Sequence, residues 1–90
     1  MSLFFKDKEG RIIHLTNERI KHIYKHQEMQ NRLQQIEESI KNPDFMEEDL
    51  YRKEIVYYYK YLKDENRHIR TVVKKINNEG FILTAYLIKK

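Results

Sequence analysis

The second half of the chain consists of three runs of β-forming residues, at 54–62, 68–76 and 81–88, and the first run is dense in Ile, Val and Tyr. Two short polar segments, 63–66 and 77–80, separate the runs and have the composition of turns. Turns this short join antiparallel neighbours, so the sequence predicts an antiparallel meander.

Two amphipathic helices are predicted before these runs. Thr16 and Asn17 are typical of a helix start, and the first helix extends to about His26. The second helix is predicted over 28–41, where apolar residues recur at helical spacing. It ends before Pro43, because the residue that precedes a proline avoids the helical region.

Shorter extended pieces are predicted at 3–6 and 11–15, with a turn between them, and a short strand is predicted at 45–49. We therefore predict an α+β fold. Two N-terminal amphipathic helices pack on one face of an antiparallel sheet of about four strands. The other face is left for solvent or substrate. With 90 residues, the chain 1–90 forms a single domain.

The chain carries a formal net charge of +4, which favours polyanionic partners. Residues 67–75 carry four cationic side chains and no acid, so part of the positive charge is concentrated on one predicted strand. The absence of cysteine excludes disulfides and thiolate metal sites and fits a cytoplasmic protein. We expect no secretory signal and no membrane partner, because no apolar segment is long enough.

Two histidines are candidates for proton transfer. His22 and His26 are one helical turn apart and lie off the apolar stripe of the first predicted helix. Imidazole suits acid–base catalysis near neutral pH. A pair of solvated surface histidines is the alternative. A zinc site is disfavoured, because the segment between them lacks the glutamate of a metalloprotease helix.

Phosphate and base contacts are predicted on the strands. Arg70 and Lys74 share a strand face and could hold a phosphate, although charged residues also protect edge strands. Tyr57, Tyr59 and Tyr61 share one face of the tyrosine-rich strand, where they either stack a base or pack in the core. Periodicity leaves open which face of the sheet is exposed.

The last predicted strand places a hydroxyl and a phenol on one face. Thr84 and Tyr86 are two residues apart, and alternation puts the apolar residues of this strand on the opposite face, namely Phe81, Leu83, Ala85 and Leu87. Polar groups on one face of an apolar strand must find partners or border a cleft. The pair is therefore a candidate part of a site.

The order and spacing of several segments resemble a known family. These segments are 22–28 (HIYKHQE), 42–44 (NPD), the tyrosine-rich strand, 69–74 (IRTVVK) and 81–86 (FILTAY). Together they resemble the barnase–EndoU–colicin–RelE-like nuclease superfamily, and more narrowly its small phage- and toxin-associated branch. The resemblance covers about residues 14–90. One departure is Gln27, where the branch often has proline.

The resemblance implies a RelE/barnase-like fold and a single nuclease-like domain over 1–90. It also implies a metal-independent endoribonuclease of bacterial or phage origin, often a toxin, with no cofactor or metal. A toxin role implies a protein antitoxin or immunity partner, and the oligomeric state stays open. By their motifs, the catalytic residues are His22, His26, Arg70, Thr84 and Tyr86. Residues assigned to RNA binding are Lys25, Tyr57, Tyr59 and Lys74.

The hypothesis at this point is a single acid–base pocket. One helix histidine acts as base or acid, Tyr86 or the other histidine is its counterpart, and Arg70 stabilises the charged phosphorane. Thr84 orients the phosphate. Two alternatives stay open: an RNA-binding or protein-interaction module without catalysis, and a structural subunit that occludes a partner.

Overall fold

The computed structural model describes residues 2–89, which form six strands, two α-helices and one 3₁₀ turn. In chain order the elements are β1 (Ser2–Lys6), β2 (Ile12–Thr16), α1 (Asn17–Tyr24), the 3₁₀ turn (Gln27–Met29), α2 (Leu33–Lys41), β3 (Phe45–Glu48), β4 (Ile55–Leu62), β5 (Arg67–Ile76) and β6 (Glu79–Ile88). None of the helices among these residues is long and apolar enough to cross a membrane.

All six strands belong to one sheet in the order β1-β2-β6-β5-β4-β3. Strands β3 to β6 form the predicted antiparallel meander, whereas β2 pairs with β6 in parallel. The fold is mixed α+β, but the prediction of two N-terminal helices on a sheet of about four strands is wrong. Strands β1 and β2 precede the helices and also belong to the sheet. β2 pairs with β6, and both helices lie between these two strands in the sequence.

The helices are shorter than predicted. Thr16 caps α1, its hydroxyl accepting a hydrogen bond from the amide of Arg19, but the helix ends at Tyr24 rather than at His26. His26 has an extended backbone and precedes the 3₁₀ turn. Asn31 then adopts a left-handed φ of 63°, which separates this turn from α2. His22 and His26 are therefore not neighbours on one helix.

One face of the sheet, called here the covered face, packs against α1, the 3₁₀ turn and α2. The helices contribute Ile23, Met29, Ile36 and Ile40 to the core, all of them buried. The sheet residues in the same cluster include Ile13, Leu15, Val56, Tyr58, Ile69, Val73, Ile82 and Ala85. Burial of this apolar area is the main force that holds the helices on the sheet.

The other face, called here the open face, is covered by no helix of residues 2–89. Side chains alternate across a strand, so this face carries the neighbours of the core residues. They are His14 on β2, Phe45 and Glu47 on β3, Ile55, Tyr57, Tyr59 and Tyr61 on β4, His68, Arg70, Val72 and Lys74 on β5, and Phe81, Thr84, Tyr86 and Ile88 on β6.

A register shift in β6 changes which residues share a face. Val72 pairs with Thr84 but Val73 pairs with Ile82, which leaves Leu83 as an extra residue. Phe81 consequently lies on the open face and stacks on His14. The prediction that Phe81 faces the same way as Ala85 is therefore wrong, because strict alternation does not hold across the bulge.

Gly80 is required where β2 and β6 approach each other. A Cβ atom there would lie 2.7 Å from Ile13 Cδ1 and 2.8 Å from Val73 Cγ1, closer than side chains tolerate. Because Gly80 has no side chain, β2 and β6 can pair at this point without a clash with the core residues.

Candidate functional site

Arg70 lies near the centre of the open face, and tyrosine hydroxyls bind its guanidinium group. Its Nε and Nη2 atoms donate to the Tyr59 hydroxyl at 2.9 and 2.6 Å, and its Nη1 atom donates to the Tyr86 hydroxyl at 3.1 Å. The strand register accounts for this arrangement, because Tyr59 and Tyr86 are the two cross-strand partners of Arg70. We call Arg70, Tyr57, Tyr59 and Tyr86 the Arg70 cluster.

Three aromatic rings surround the same guanidinium group. Its Cζ atom lies 4.7 Å from the ring centroid of Tyr57, 5.1 Å from that of Tyr59 and 5.7 Å from that of Tyr86. These distances are within the range of cation–π attraction. The rings and the hydroxyls together fix the orientation of a half-buried arginine on a face that no helix covers.

The hydrogen bonds of the cluster extend to Glu47 on the edge strand β3. Tyr59 is fully buried, and its hydroxyl donates to Glu47 Oε1 at 2.6 Å while it accepts from Arg70. Burial raises the pKa of Tyr59, and the hydrogen bond to Glu47 raises it further, against the opposing effect of Arg70. The phenol therefore keeps its proton at neutral pH and links the carboxylate to the guanidinium.

Arg70 stays charged in this environment. Burial lowers the pKa of its guanidinium, but the hydrogen bonds to Tyr86 and Tyr59 outweigh burial and raise the pKa overall. Among residues 2–89, no carboxylate oxygen lies within 4.0 Å of Arg70. A charged, half-buried arginine paired with neutral phenols is electrostatically suited to an anion.

Three further residues that the sequence predicted for the site can now be placed. Tyr57 belongs to the Arg70 cluster, and its hydroxyl donates to Asp49 at 2.5 Å. Thr84 lies on the open face two residues before Tyr86 and opposite Val72. Lys74 is exposed on the same face, four residues beyond Arg70. The predicted strand residues therefore share one surface.

The helix residues of the predicted pocket lie on the other side of the sheet. Ile23 is buried against the covered face, and its neighbour His22 is exposed. His26 is also exposed and is followed by Glu28, whose carboxylate accepts from Arg67 at 3.3 Å. Arg67 is two residues before Ile69 on β5, so both lie on the covered side of the sheet.

The sheet consequently separates the two groups of predicted catalytic residues. Lys25 follows α1 and is exposed on the helix side, so it is separated from Lys74 in the same way. The single pocket that was expected to join His22 and His26 with Arg70, Thr84 and Tyr86 is not formed. The chemical roles of the two histidines stay predictions.

Sequence reasoning missed two residues of the open face. Glu47 was treated only as part of a short strand, and its link to Arg70 depends on the pairing of β3 with β4. His68 was not among the predicted site residues, yet it lies two residues from Arg70 and contacts the rings of Phe45, Tyr59 and Tyr61. Its position on the same strand face as Arg70 was the available signal.

No group of three or more His, Cys, Asp or Glu side chains placed to hold a metal ion occurs within residues 2–89. The polar groups that the site offers are a guanidinium, phenols, a threonine hydroxyl, a lysine and a carboxylate. Such groups can bind an oxyanion and can accept or donate protons.

Comparisons with protein-family models, with curated proteins and with solved structures found no match for this chain.

Proposed function

We propose that the protein is a metal-independent endoribonuclease that binds a phosphodiester of RNA at the Arg70 cluster. The observation that supports this most is the chemical setting of Arg70. Its guanidinium is half-buried on the open face, is held by two tyrosine hydroxyls and has no carboxylate within 4.0 Å among residues 2–89. Phosphate oxygens are suited to the remaining N–H donors of such a group.

The rest of the open face favours a nucleic acid over a small anion. Lys74 adds a second positive charge on the same surface, and the formal net charge of the chain is +4. Aromatic side chains next to a basic strand are typical of surfaces that bind single-stranded nucleic acid, because bases stack on rings while cations contact the backbone.

The reaction class follows from the chemistry of RNA. A base removes the proton of the 2′-hydroxyl, and the 2′-oxygen attacks the adjacent phosphorus. The bond from phosphorus to the 5′-oxygen breaks, and an acid protonates that oxygen. The products are a 2′,3′-cyclic phosphate and a free 5′-hydroxyl. Each positioned proton transfer contributes about 10²–10⁴-fold to the rate.

The open face offers a group for each role. Arg70 binds the non-bridging oxygens and stabilises the charge of the phosphorane. The Tyr86 hydroxyl accepts from Arg70 Nη1 at 3.1 Å, and we assign it the role of the acid that protonates the leaving 5′-oxygen. Glu47 is separated from Arg70 by the Tyr59 hydroxyl and is the carboxylate proposed as the base. Thr84 is placed to orient the phosphate.

A second candidate function is an RNA-binding module without catalysis. The observation that favours it is the separation of His22 and His26 from the Arg70 cluster by the sheet. Under this alternative, Arg70 and Lys74 contact the phosphates and the tyrosines contact the bases, but no bond is cleaved. Salt-sensitive binding with no cleavage product would identify this function.

We also propose a cytoplasmic location and a toxin role with an antitoxin or immunity partner. Such a partner would neutralise the protein by covering the open face. An acidic surface on the partner would complement Arg70 and Lys74.

The test is incubation of the protein with total RNA in the presence of a chelator, followed by mapping of the new ends. The expected result is cleavage with 2′,3′-cyclic phosphate ends. Arg70→Gln is expected to reduce cleavage about 10²–10³-fold, because it removes the main stabiliser of the transition-state charge. The matched control is Arg67→Gln, which removes the same charge from the covered side of the same strand. Equal activity of both variants and the wild type would contradict the proposed site.

The histidine variants decide where the acid–base groups are. His22→Ala and His26→Ala are expected to keep cleavage within about threefold of the wild type, whereas Tyr86→Phe and Glu47→Gln lose about 10²-fold or more. A large loss in either histidine variant, with full activity of Glu47→Gln, would assign proton transfer to the helix side instead.

A further inference from the structure

We propose that the nucleobase next to the phosphate at Arg70 stacks on an aromatic corner of the open face formed by Phe45, Tyr61 and His68. This inference rests on the proposed function and extends it to the form of the substrate. A base can reach this corner only when it is unpaired, so the substrate is single-stranded RNA.

The corner is a continuous set of rings beside Arg70. The ring of Phe45 stacks on that of Tyr59, with centroids 4.2 Å apart and an interplanar angle of 14°. His68 lies edge-on to Phe45 at 5.7 Å and tilted to Tyr61 at 5.1 Å. The outer rings remain accessible, because Phe45 is 37% exposed and Tyr61 is 40% exposed.

The position of the corner relative to Arg70 matches the spacing of a nucleotide. His68 and Arg70 are two residues apart on one face of β5, which separates their Cα atoms by roughly 7 Å. Tyr61 is the cross-strand partner of His68, and Tyr59 is that of Arg70. One nucleotide can therefore place its phosphate on the guanidinium and its base on the adjacent rings.

His68 gives an independent indication of function. Its Nδ1 atom is buried and has no hydrogen-bond partner within the described part of the chain. Unpaired buried polar atoms are uncommon in folded proteins, and a bound ligand or water is one explanation for them. The ring is held in the corner by contacts with other rings rather than by a hydrogen bond at this nitrogen.

Charge distinguishes this corner from the other exposed aromatic groups of the molecule. Tyr51 is 92% exposed, but it lines a pocket together with the acidic side chains of Glu48 and Asp49, where a phosphate backbone would be repelled. Near the opposite end of the open face, His14 is stacked on Phe81 but is bound to the carboxylate of Glu79. The aromatic corner adjoins the Arg70 cluster directly, because the ring of Phe45 stacks on that of Tyr59.

The test measures binding of a single-stranded 2′-O-methyl RNA oligonucleotide, which cannot be cleaved because it lacks the nucleophile. A second oligonucleotide has the same backbone but abasic sites in place of the bases. Stacking of one base contributes about 1–3 kcal/mol, so Tyr61→Leu is expected to weaken binding of the first oligonucleotide about fivefold or more. Binding of the abasic oligonucleotide should not change.

Two further variants control for other effects. Tyr61→Phe keeps the ring and loses only the hydroxyl that donates to Asn66 at 2.7 Å, so it should bind like the wild type. Tyr51→Leu removes an equally large exposed tyrosine outside the corner and should also bind like the wild type. Circular dichroism of each variant checks that the fold is retained.

Each other outcome overturns a defined part of the proposal. Wild-type affinity of Tyr61→Leu for the base-containing oligonucleotide would overturn the stacking corner while leaving the phosphate site in place. If that variant instead changed the sedimentation of the protein, the corner would be an interface with a second copy and the proposal would fail. If Arg70→Gln bound both oligonucleotides as the wild type does, or if the wild type bound neither, the proposed function itself would fail.

Discussion

The covered face and the open face of the sheet both contain polar groups, but they use them differently. On the covered face these groups are paired within the protein, as with the buried hydroxyls of Ser39 and Thr71 at 2.7 Å and with Tyr58, which donates to Asp7 at 2.9 Å. On the open face, the hydrogen-bond partners of Arg70 among residues 2–89 are the phenols of Tyr59 and Tyr86. These polar groups of the covered face are thus paired within the protein, whereas Arg70 on the open face has N–H donors available for a ligand.

This contrast predicts how substitutions affect stability. Residues of the covered face should contribute most to the free energy of unfolding. Solvent-exposed residues of the open face should contribute least to it, while contributing to RNA binding. The following four predictions are ordered by the expected loss of stability.

The largest loss is expected for Ile69→Ala. Ile69 is fully buried on β5 between the sheet and the helices, so truncation leaves a cavity and should lower the free energy of unfolding by about 2–5 kcal/mol. Ile76→Ala is the matched control on the same strand. Ile76 is 47% exposed, and its loss should cost less than about 1 kcal/mol. Urea denaturation of both variants checks this, and similar losses would contradict the assignment of the core.

A smaller loss is expected for Tyr58→Phe. Burial raises the pKa of Tyr58, and the hydrogen bond to Asp7 raises it further, so the hydroxyl is a permanent donor to a carboxylate with little solvent access. Removing this donor should cost about 1–3 kcal/mol. The neighbouring Tyr57→Phe on the open face should cost less than about 1 kcal/mol, because its partner Asp49 is accessible to water. Equal losses in thermal unfolding would contradict the distinction between the faces.

The third prediction concerns pH. Arg32 donates two hydrogen bonds to Glu65, at 2.5 and 2.7 Å, and these lower the pKa of Glu65 from its ordinary value of 4.5. A lowered pKa in the folded state means that the pair stabilises the protein above about pH 4.5 and that this contribution is lost as the pH falls further. Arg32→Gln should cost roughly 0.5–1 kcal/mol at pH 7 and progressively less toward pH 3.

The control for this prediction is Lys41→Gln, which removes an equal charge from an exposed pair with Glu37 on α2. Its effect at pH 7 should be smaller, because the pair involves a single contact between flexible side chains. If the loss in free energy of unfolding caused by Arg32→Gln did not change with pH, the hydrogen bonds to Glu65 would not be the cause of that loss.

The smallest loss of stability is expected for Lys74→Gln. Lys74 is exposed on the open face, so the free energy of unfolding should change by less than about 0.5 kcal/mol. If Lys74 contacts a phosphate, the slope of log affinity for RNA against log salt should fall by about 1. Lys25→Gln on the helix side should leave this slope unchanged. An equal effect of the two variants would show that RNA is not confined to the open face.

The sequence contained enough local information to predict the meander. β-Forming residues and short turns define β4, β5 and β6 without reference to the rest of the chain. It also placed Arg70, Thr84 and Tyr86 correctly on their strands as candidates for one face. The parallel pairing of β2 with β6 could not be predicted in this way, because partners more than 60 residues apart leave no turn between them.

Hydrophobic periodicity also could not predict which face of the sheet the helices cover. An amphipathic stripe shows that α1 packs on a sheet, but it does not show which of the two sheet faces is covered. His22 and Arg70 were therefore combined in one pocket although they lie on opposite sides. The role of Glu47 was hidden for a similar reason, because it depends on the register between β3 and Tyr59.

The most direct test of the open face as the RNA site is an NMR titration of the protein with a 2′-O-methyl RNA oligonucleotide, which binds without being cleaved. Signals of Tyr57, Arg70 and Tyr86 are expected to shift in proportion to the bound fraction, while those of His22 and Lys25 stay in place. Shifts confined to His22 and Lys25, with the Arg70 cluster unchanged, would contradict the open face as the site where RNA binds.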